Sequence, residues 1–334
     1  MNMEDIMILT SGDLHTRKEE PFFSAVRQTL EEYDRKLKKG DTFIQLGDWF
    51  HISRPYPEEN ELVYYYIRKW IERGVRIIAL AGNHDYLGVE DTYSIDPFDS
   101  MDVLLVKEPS ILKLESSTFL FLPWMPRSHF PTDKRESYFS SILDSDVEGG
   151  FVYENKDKLN DVDYICYHFE DETVFMGGIN IGYDIRPLEQ FTPKARRIGG
   201  HIHIKSKNYL GTPYQTRYDE KGQIGRYITI EDGAYVENSL PLFIEYLDIE
   251  YGDEVDNTTS KILTISNAPS LEACYQKYAI PNVYIRKVDL LVSQERIVEE
   301  EETSNDGSLI GMFTTYADIN SIDDKTKKYI LGLL

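Results

Sequence analysis

The residues of this chain able to do chemistry sit in five short segments. They are Asp13 and His15 in "GDLH", Asp48 in "GDWFH", Asn83, His84 and Asp85 in "GNHD", His168 ending "VDYICYHF", and His201 and His203 in "GHIH". Each segment closes an apolar run. Carboxylate, imidazole and amide oxygen are hard-to-borderline ligands that need no thiolate partner. Together they suit a pair of divalent ions, roughly 3.5–4 Å apart, clamped by one shared carboxylate. Asp48 is the best bridge candidate, because it stands alone at the end of the middle run. His201 and His203 alternate, so on a regular strand they share one face, and Gly199 and Gly200 before them admit close backbone approach. One such residue at a strand end is ordinarily a cap or a surface group. Here five of the seven histidines fall in the same pattern, and the conjunction argues for a site.

Such residues need elements that bring them together. "IMILTSGDLH", "DTFIQLGDWFH" and "VRIIALAGNHD" read as buried strands. Between them, Phe22, Val26, Leu30, Tyr33 and Leu37 recur at helical spacing, with Gly40 as the expected stop. Leu62, Val63, Tyr66, Ile67, Trp70 and Ile71 mark a second helix. Strand–helix alternation of this kind implies βαβ units and a parallel sheet. In open α/β sheets ligands gather outside the carboxyl ends of the strands, where loops converge. Further strands follow in "DVLLVKEPSILKL", "STFLFLPWM", "VDYICYHF" and "RRIGGHIHIKS", which predicts a second sheet packed on the first, the whole forming one α/β domain over 1–238. From Ser239 the pattern changes. "LPLFIEYLDIEYGDEV" and "VYIRKVDLLVS" predict strands of a small C-terminal domain (239–297), followed by an acidic linker (298–307) and a helical tail (308–334). The tail has apolar faces fit to fold back or to dock on a partner helix.

Bulk properties narrow the classes. The chain has 334 residues, 41% hydrophobic and 28% charged, a globular balance. No apolar run is long enough for a membrane span. The acidic start, "MNMEDIMILTSGD", is unlike a secretion signal. Two cysteines, Cys166 and Cys274, make neither a disulfide framework nor a cysteine zinc site. A reducing cytoplasm is the expected location. The net charge of -22 argues against indiscriminate nucleic-acid binding. Part of the acid is clustered late, in "DIEYGDEVD" and "VEEEETSND", and bound cations supply positive charge where acids are ligands.

"GDLH", "GDWFH", "GNHD", a lone His after a strand, and "GHIH" together resemble the calcineurin-like metallophosphoesterase superfamily, over residues 8 to about 236. The resemblance implies a two-sheet sandwich flanked by helices. It also implies that Asp13, His15, Asp48 and His203 hold one metal, and Asp48, Asn83, His168 and His201 the other. Serine/threonine phosphatases of that superfamily carry "GDxxDRG" and "GNHE", whereas this chain has "GDWFHIS" and "GNHD". It looks instead like the SbcD-type nucleases of double-strand-break repair. His51 follows the bridging Asp48 as "GDxFH". "YLGTPYQTRYDEKGQIGRYITIED" resembles the Gly-Ser/Thr-Pro segment and closing strands of that branch. "SLIGMFTTYADIN" resembles the helical segment that docks on a partner ATPase, and the length is closest to the phage recombination endonuclease subunit. One departure is that His15 is followed by Thr16, Arg17 and Lys18 rather than Leu-Gly. They are read either as phosphate-holding groups or as a solvated loop.

What this resemblance implies is phosphodiester hydrolysis of DNA, exonucleolytic and endonucleolytic, by a subunit that processes DNA ends in recombination and repair. Two divalent ions are expected, Mn2+ by donor type, with Mg2+ as the other option. Asn83 is a neutral ligand. His84 stabilises the transition state or protonates the leaving oxygen, Asp85 orients its ring, and His51 sits near the substrate strand. The chain has no GxxxxGK[ST] loop, so the implied partner is a coiled-coil, SMC-like ATPase on the helical tail. A homodimer is also implied, with Tyr64, Tyr65 and Tyr66 either at the dimer contact or facing the core. Two other readings stay open. One is a phosphoesterase acting on a small phosphodiester or nucleotide. The other is a DNA-end scaffold without catalysis, which the full ligand set argues against.

Overall fold

Three apolar runs form the centre of the first sheet: β1 (Met7–Ser11), β2 (Thr42–Gln45) and β3 (Arg76–Leu80). They pair in parallel, Ile8 opposite Thr42 and Thr42 opposite Arg76. The computed structural model describes residues 6–89, 91–125, 150–176, 178–180, 183 and 185–291. The expected acidic linker and helical tail lie outside the described residues.

Between the strands run α1 (Phe22–Lys36) and α2 (Pro57–Arg73). Ala25, Val26, Leu30 and Tyr33 of α1, and Val63, Tyr66, Ile67 and Trp70 of α2, pack on one face of the sheet against Leu9, Phe43 and Ile77. The expected stop of α1 at Gly40 is too late. The helix ends at Lys36, where Leu37 is already extended. The Arg73 guanidinium reaches across from α2 and donates to the Asp34 and Leu37 carbonyls at 2.8 and 2.7 Å, taking C-terminal acceptors that the helix leaves free. The Asp34 carboxylate in turn accepts from Lys69, Trp70 and Arg73 at 2.7, 3.1 and 2.6 Å, tying the helices together. Gly74, at φ 88°, closes α2 in the left-handed conformation.

Downstream, β4 (Leu104–Val106) extends the first sheet; β5 (Ser110–Leu114), β6 (Ser117–Leu122) and β7 (Tyr164–Tyr167) belong to the second. α3 (Phe151–Leu159) precedes β7. A small hairpin of β8 (Phe175–Met176) and β9 (Ile179–Asn180) follows, then β10 (Arg196–Gly199). Finally β11 (Arg226–Glu231) and β12 (Ala234–Ser239) return antiparallel to the edge of β1. The first sheet has the order β12-β11-β1-β2-β3-β4 and the second β10-β7-β6-β5. Alternation along the strands explains the stacking. Ile8, Ile44, Ile78 and Leu80 turn from the helices towards Phe119, Phe121, Cys166 and Ile198 of the second sheet. The far face of that sheet buries Leu120, Ile165 and Tyr167 with Val152 and Leu159 of α3. The result is the expected mixed α/β fold, two sheets flanked by helices.

The C-terminal segment holds a parallel sheet of β13 (Ile244–Glu250), β14 (Ser260–Ala268) and β15 (Val283–Leu290), with α4 (Leu271–Lys277) before β15. The pattern anticipated β13 and β15 but not β14 or α4. In β14 the apolar residues Ile262, Leu263, Ile265 and Ala268 are broken up irregularly by Thr264, Ser266 and Asn267, and α4 is about two turns long. Leu263, Ile265, Cys274 and Tyr278 form a separate small core. Leu240, Phe243, Ile244, Tyr246 and Ile262 join the core under α1 and α2.

Candidate metal centre

The carboxyl ends of β1, β2 and β3 meet those of β7 and β10, and the expected residues converge there. Asp13, His15, Asp48, Asp85 and His168 are buried; Asn83, His84, His51, His201 and His203 are partly exposed. His15 Nε2 lies 2.8 Å from His203 Nε2 and 3.5 Å from Asp48 Oδ2. On the other side of Asp48, its Oδ1 lies 3.3 Å from His168 Nε2. Asn83 Oδ1 is 3.1 Å from His168 Nε2 and 2.9 Å from His201 Nδ1. Asp48 therefore stands between two groups of donors. Asp13 Oδ1 also lies 3.7 Å from His168 Nδ1.

Local backbone explains how the strand ends present these groups. His15, Asp48 and His201 have φ of 45°, 49° and 74°, in the left-handed region that non-glycine residues seldom occupy. Each such residue costs of order 1–3 kcal/mol, held by its surroundings. The His15 N–H donates to the Asp48 carbonyl at 2.9 Å, and the His201 N–H to Asp13 Oδ1 at 2.7 Å. Glycines make room for the side chains. A Cβ on Gly82 would lie 2.1 Å from Asp48 Oδ1, and one on Gly47 2.3 Å from His168 Nδ1. The expected close approach at Gly200 also holds, since a Cβ there would lie 2.5 Å from the Leu46 carbonyl oxygen.

Two expectations need correction. His201 and His203 do not share a strand face. β10 ends at Gly199, and the left-handed turn at His201 sends that ring to Asn83 while His203 goes to His15. Nor does Asp85 orient the His84 ring. Its carboxylate accepts from the N–H groups of Gly82, Asp48 and Trp49 at 2.9, 2.9 and 3.2 Å, stitching the "GNHD" turn to the "GDWFH" turn. His84 is oriented by the His51 carbonyl, which accepts from its Nδ1 at 2.6 Å. The His51 and His84 rings lie nearly parallel, centroids 5.8 Å apart, and the His15 ring is edge-on to His84 at 4.8 Å.

Electrostatics follow from burial. Desolvation alone would depress His168, but the Asp48 and Asp13 carboxylates outweigh it and lift the ring to about 10. His15 goes the other way: burial drives it well below its ordinary value despite Asp48. Burial, then the Asp48 charge, pushes the Asp85 carboxyl up to about 8, against the pull of its N–H donors. His51 falls to about 4 through burial and the Arg17 charge. Arg17 itself is engaged, its guanidinium 3.7 Å from the Phe22 ring and 2.6 Å from the Thr216 carbonyl. Lys18 lies 3.4 Å over the Tyr56 ring.

The donor set fits divalent cations. Ligand atoms of Asp13, His15 and His203 lie within 4.8 Å of one another, as do those of Asp13, Asp48 and His168, and of His15, His51 and His84. Asp13 Oδ2 is buried and accepts no hydrogen bond, a costly state for a carboxylate oxygen facing no cation. Two glutamates that the motifs did not mark stand behind the "GHIH" pair. Glu220 Oε1 is 2.7 Å from His203 Nδ1, and Glu170 Oε1 is 3.3 Å from His201 Nε2. Burial would raise the Glu220 carboxyl, but hydrogen bonds from His203 and Thr216 hold it below its ordinary value.

Comparison with known proteins bears on this centre. A family model described as calcineurin-like phosphoesterase matches residues 6–205, which contain every expected site residue. No curated protein matches the chain. Among solved structures, a protein of unknown function from Aquifex aeolicus is 20% identical with a TM-score of 0.29, over 48% of this chain and 77% of its own. An archaeal phosphodiesterase is 12% identical with a TM-score of 0.33, over 70% of this chain and 100% of its own. A cold-active protein-tyrosine phosphatase of a psychrophilic Shewanella species is 12% identical with a TM-score of 0.32, over 71% of this chain and 81% of its own.

Proposed function

The chain belongs to the calcineurin-like phosphoesterase family, and from that premise we propose that it is a two-metal DNA nuclease subunit, acting at DNA ends beside a coiled-coil ATPase. The observation that carries the nuclease reading is His51. It closes "GDWFH", is half-buried, and holds His84 through its backbone carbonyl. Its ring stands beside His84, centroids 5.8 Å apart, and the resemblance to SbcD-type nucleases puts a histidine at this motif position near the substrate strand.

Asp13, His15, Asp48 and His203 would hold one cation, and Asp48, Asn83, His168 and His201 the other. Mn2+ suits these donors, with Mg2+ as the alternative. Bound there, the pair supplies Lewis-acid stabilisation of phosphoryl charge and a nucleophile near neutral pH. Asn83 contributes a neutral oxygen, so the site stays less anionic as a phosphate approaches. His84 Nδ1 is committed to the His51 carbonyl, which leaves Nε2 to stabilise the transition state or deliver a proton to the leaving oxygen. Asp85 keeps the two turns in register and so keeps His84 beside Asp48. His84 also donates its own N–H to Asp48 Oδ1 at 2.9 Å.

A second reading is a phosphoesterase for a small phosphodiester or nucleotide. The net charge of -22 favours it, because the chain alone attracts polyanionic DNA poorly. In the nuclease reading the ATPase supplies that affinity, and the chain works as a homodimer. An assay with Mn2+ on end-labelled duplex and single-stranded DNA, beside bis-p-nitrophenyl phosphate, decides between them. DNA cleavage is expected; hydrolysis of the small ester alone would overturn the nuclease reading. Tight, salt-resistant DNA binding by the isolated chain would contradict the role given to the ATPase.

A further inference from the structure

His203 has two ring nitrogens with different surroundings. Nε2 faces His15 Nε2 at 2.8 Å, inside the centre. Nδ1 faces Glu220, whose side chain is fully buried, at 2.7 Å. The other neighbours of that carboxylate are all donors. The Thr216 N–H gives to Oε2 at 2.5 Å, the Thr216 hydroxyl to Oε1 at 2.7 Å, and the Thr212 hydroxyl to Oε2 at 3.2 Å. An ionised carboxylate only accepts. The Thr216 hydroxyl also lies 3.2 Å from Nδ1, but it donates to Oε1 at 2.7 Å, so the short Nδ1–Oε1 contact puts the proton on Nδ1 and, in the neutral ring, leaves the Nε2 lone pair pointing inward.

We propose that Glu220 is a positioning residue that locks His203 as its Nδ1–H tautomer and so presents Nε2 to the cation site. The proposal rests on the metal-centre reading above but asks a separate question of it. A carboxylate behind a ligating imidazole fixes ring orientation and raises ligand basicity. The turn that carries Glu220 is itself braced. The Tyr218 hydroxyl and Lys221 Nζ reach Asp248 on β13 at 2.6 and 2.8 Å, and Arg17 holds the Thr216 carbonyl. The C-terminal sheet and the loop after His15 thus both bear on the group that aims His203.

Glu220→Gln keeps the shape and inverts the logic. The Thr216 N–H claims the amide oxygen, so the amide NH2 faces His203 Nδ1. That nitrogen must then accept, and the ring proton moves to Nε2. The test is two-bond 1H–15N spectroscopy of the histidines in the full chain, prepared metal-free, with assignment by His203→Gln. Wild type is expected to show Nδ1–H at His203 and Glu220→Gln to show Nε2–H. Titration with Mn2+ should find the variant about 10–100-fold weaker. Nε2–H in the wild type, or an unchanged tautomer and affinity in the variant, would overturn the proposal. If the variant does not fold, the wild-type tautomer decides alone. Wild-type protein that binds no Mn2+ would sink the metal-centre reading, while its tautomer still judges Glu220.

Discussion

His84 and Gly82 carry the sharpest residue-scale expectations. Replacing His84 with Ala removes a ring that donates to the His51 carbonyl and is edge-on to His15. Mn2+ stoichiometry should be kept while turnover falls by roughly 10²–10⁴. Unimpaired cleavage would take His84 out of the chemistry. Gly82→Ala puts a methyl where Asp48 Oδ1 already lies 2.1 Å away. Overpacking of this kind costs about 1–3 kcal/mol, so urea unfolding should register the loss together with weaker Mn2+ binding. Much of this site could be read from the sequence, because each ligand-type residue closes an apolar run and such endings are conspicuous. Asp85 was legible as part of the site but not in its role. Adjacency suggested a contact with His84, whereas the turn sends the carboxylate back to the N–H groups of Gly82, Asp48 and Trp49. Glu220 and Glu170 were not legible. They are two acids among 58, and what singles them out is which imidazole they face, a property of the folded chain.

Among elements, the α1–α2 pair has a pH dependence of its own. Burial would raise the Asp34 carboxyl, but hydrogen bonds and charge from Lys69 and Arg73 prevail and hold it below its ordinary value. A lowered folded value means that Asp34 contributes stability above the ordinary aspartate range, and that this is lost as pH falls through the folded value. Asp34→Asn should therefore be less stable than wild type at neutral pH. The gap should close on acidification, as chemical denaturation at several pH values will report. A constant gap would show that the ion pairs contribute nothing there. Parallel pairing of β1, β2 and β3 followed from strand–helix alternation. The early end of α1 did not, because the acceptors at its end are taken by Arg73 from another helix. β14 escaped notice because its buried Ile262, Leu263, Ile265 and Ala268 form neither a continuous apolar run nor a strict alternation.

For the whole molecule, what matters is that neither sheet owns the centre. Asp13, His15, Asp48 and Asn83 come from the end of one sheet, and His168, His201 and His203 from the end of the other. Cations held by both should stabilise the folded chain by mass action, about 2.7 kcal/mol at a hundredfold excess over Kd. The melting temperature should rise with Mn2+ and return with EDTA. A melting curve indifferent to both would count against the metal centre. Among the described residues no helix is long and apolar enough to cross a membrane.

The seam between the sheets has a further consequence. The interior of the contact between the two layers is apolar and undirected, and directed bonds cross it at its ends, from the His201 N–H to Asp13 beside the centre and from the Tyr164 hydroxyl to the Gly233 carbonyl at the far side. Ligands drawn from both layers would act as a rivet at one end of that seam. They would remove shear at the end where chemistry happens and act less on the opposite end, which the Tyr164–Gly233 bond and the Arg196–Tyr235 contact already hold without them. Amide hydrogen exchange should then slow on metal addition in a gradient, steepest beside Gly47 and Gly200 and flat at the turn joining β5 to β6.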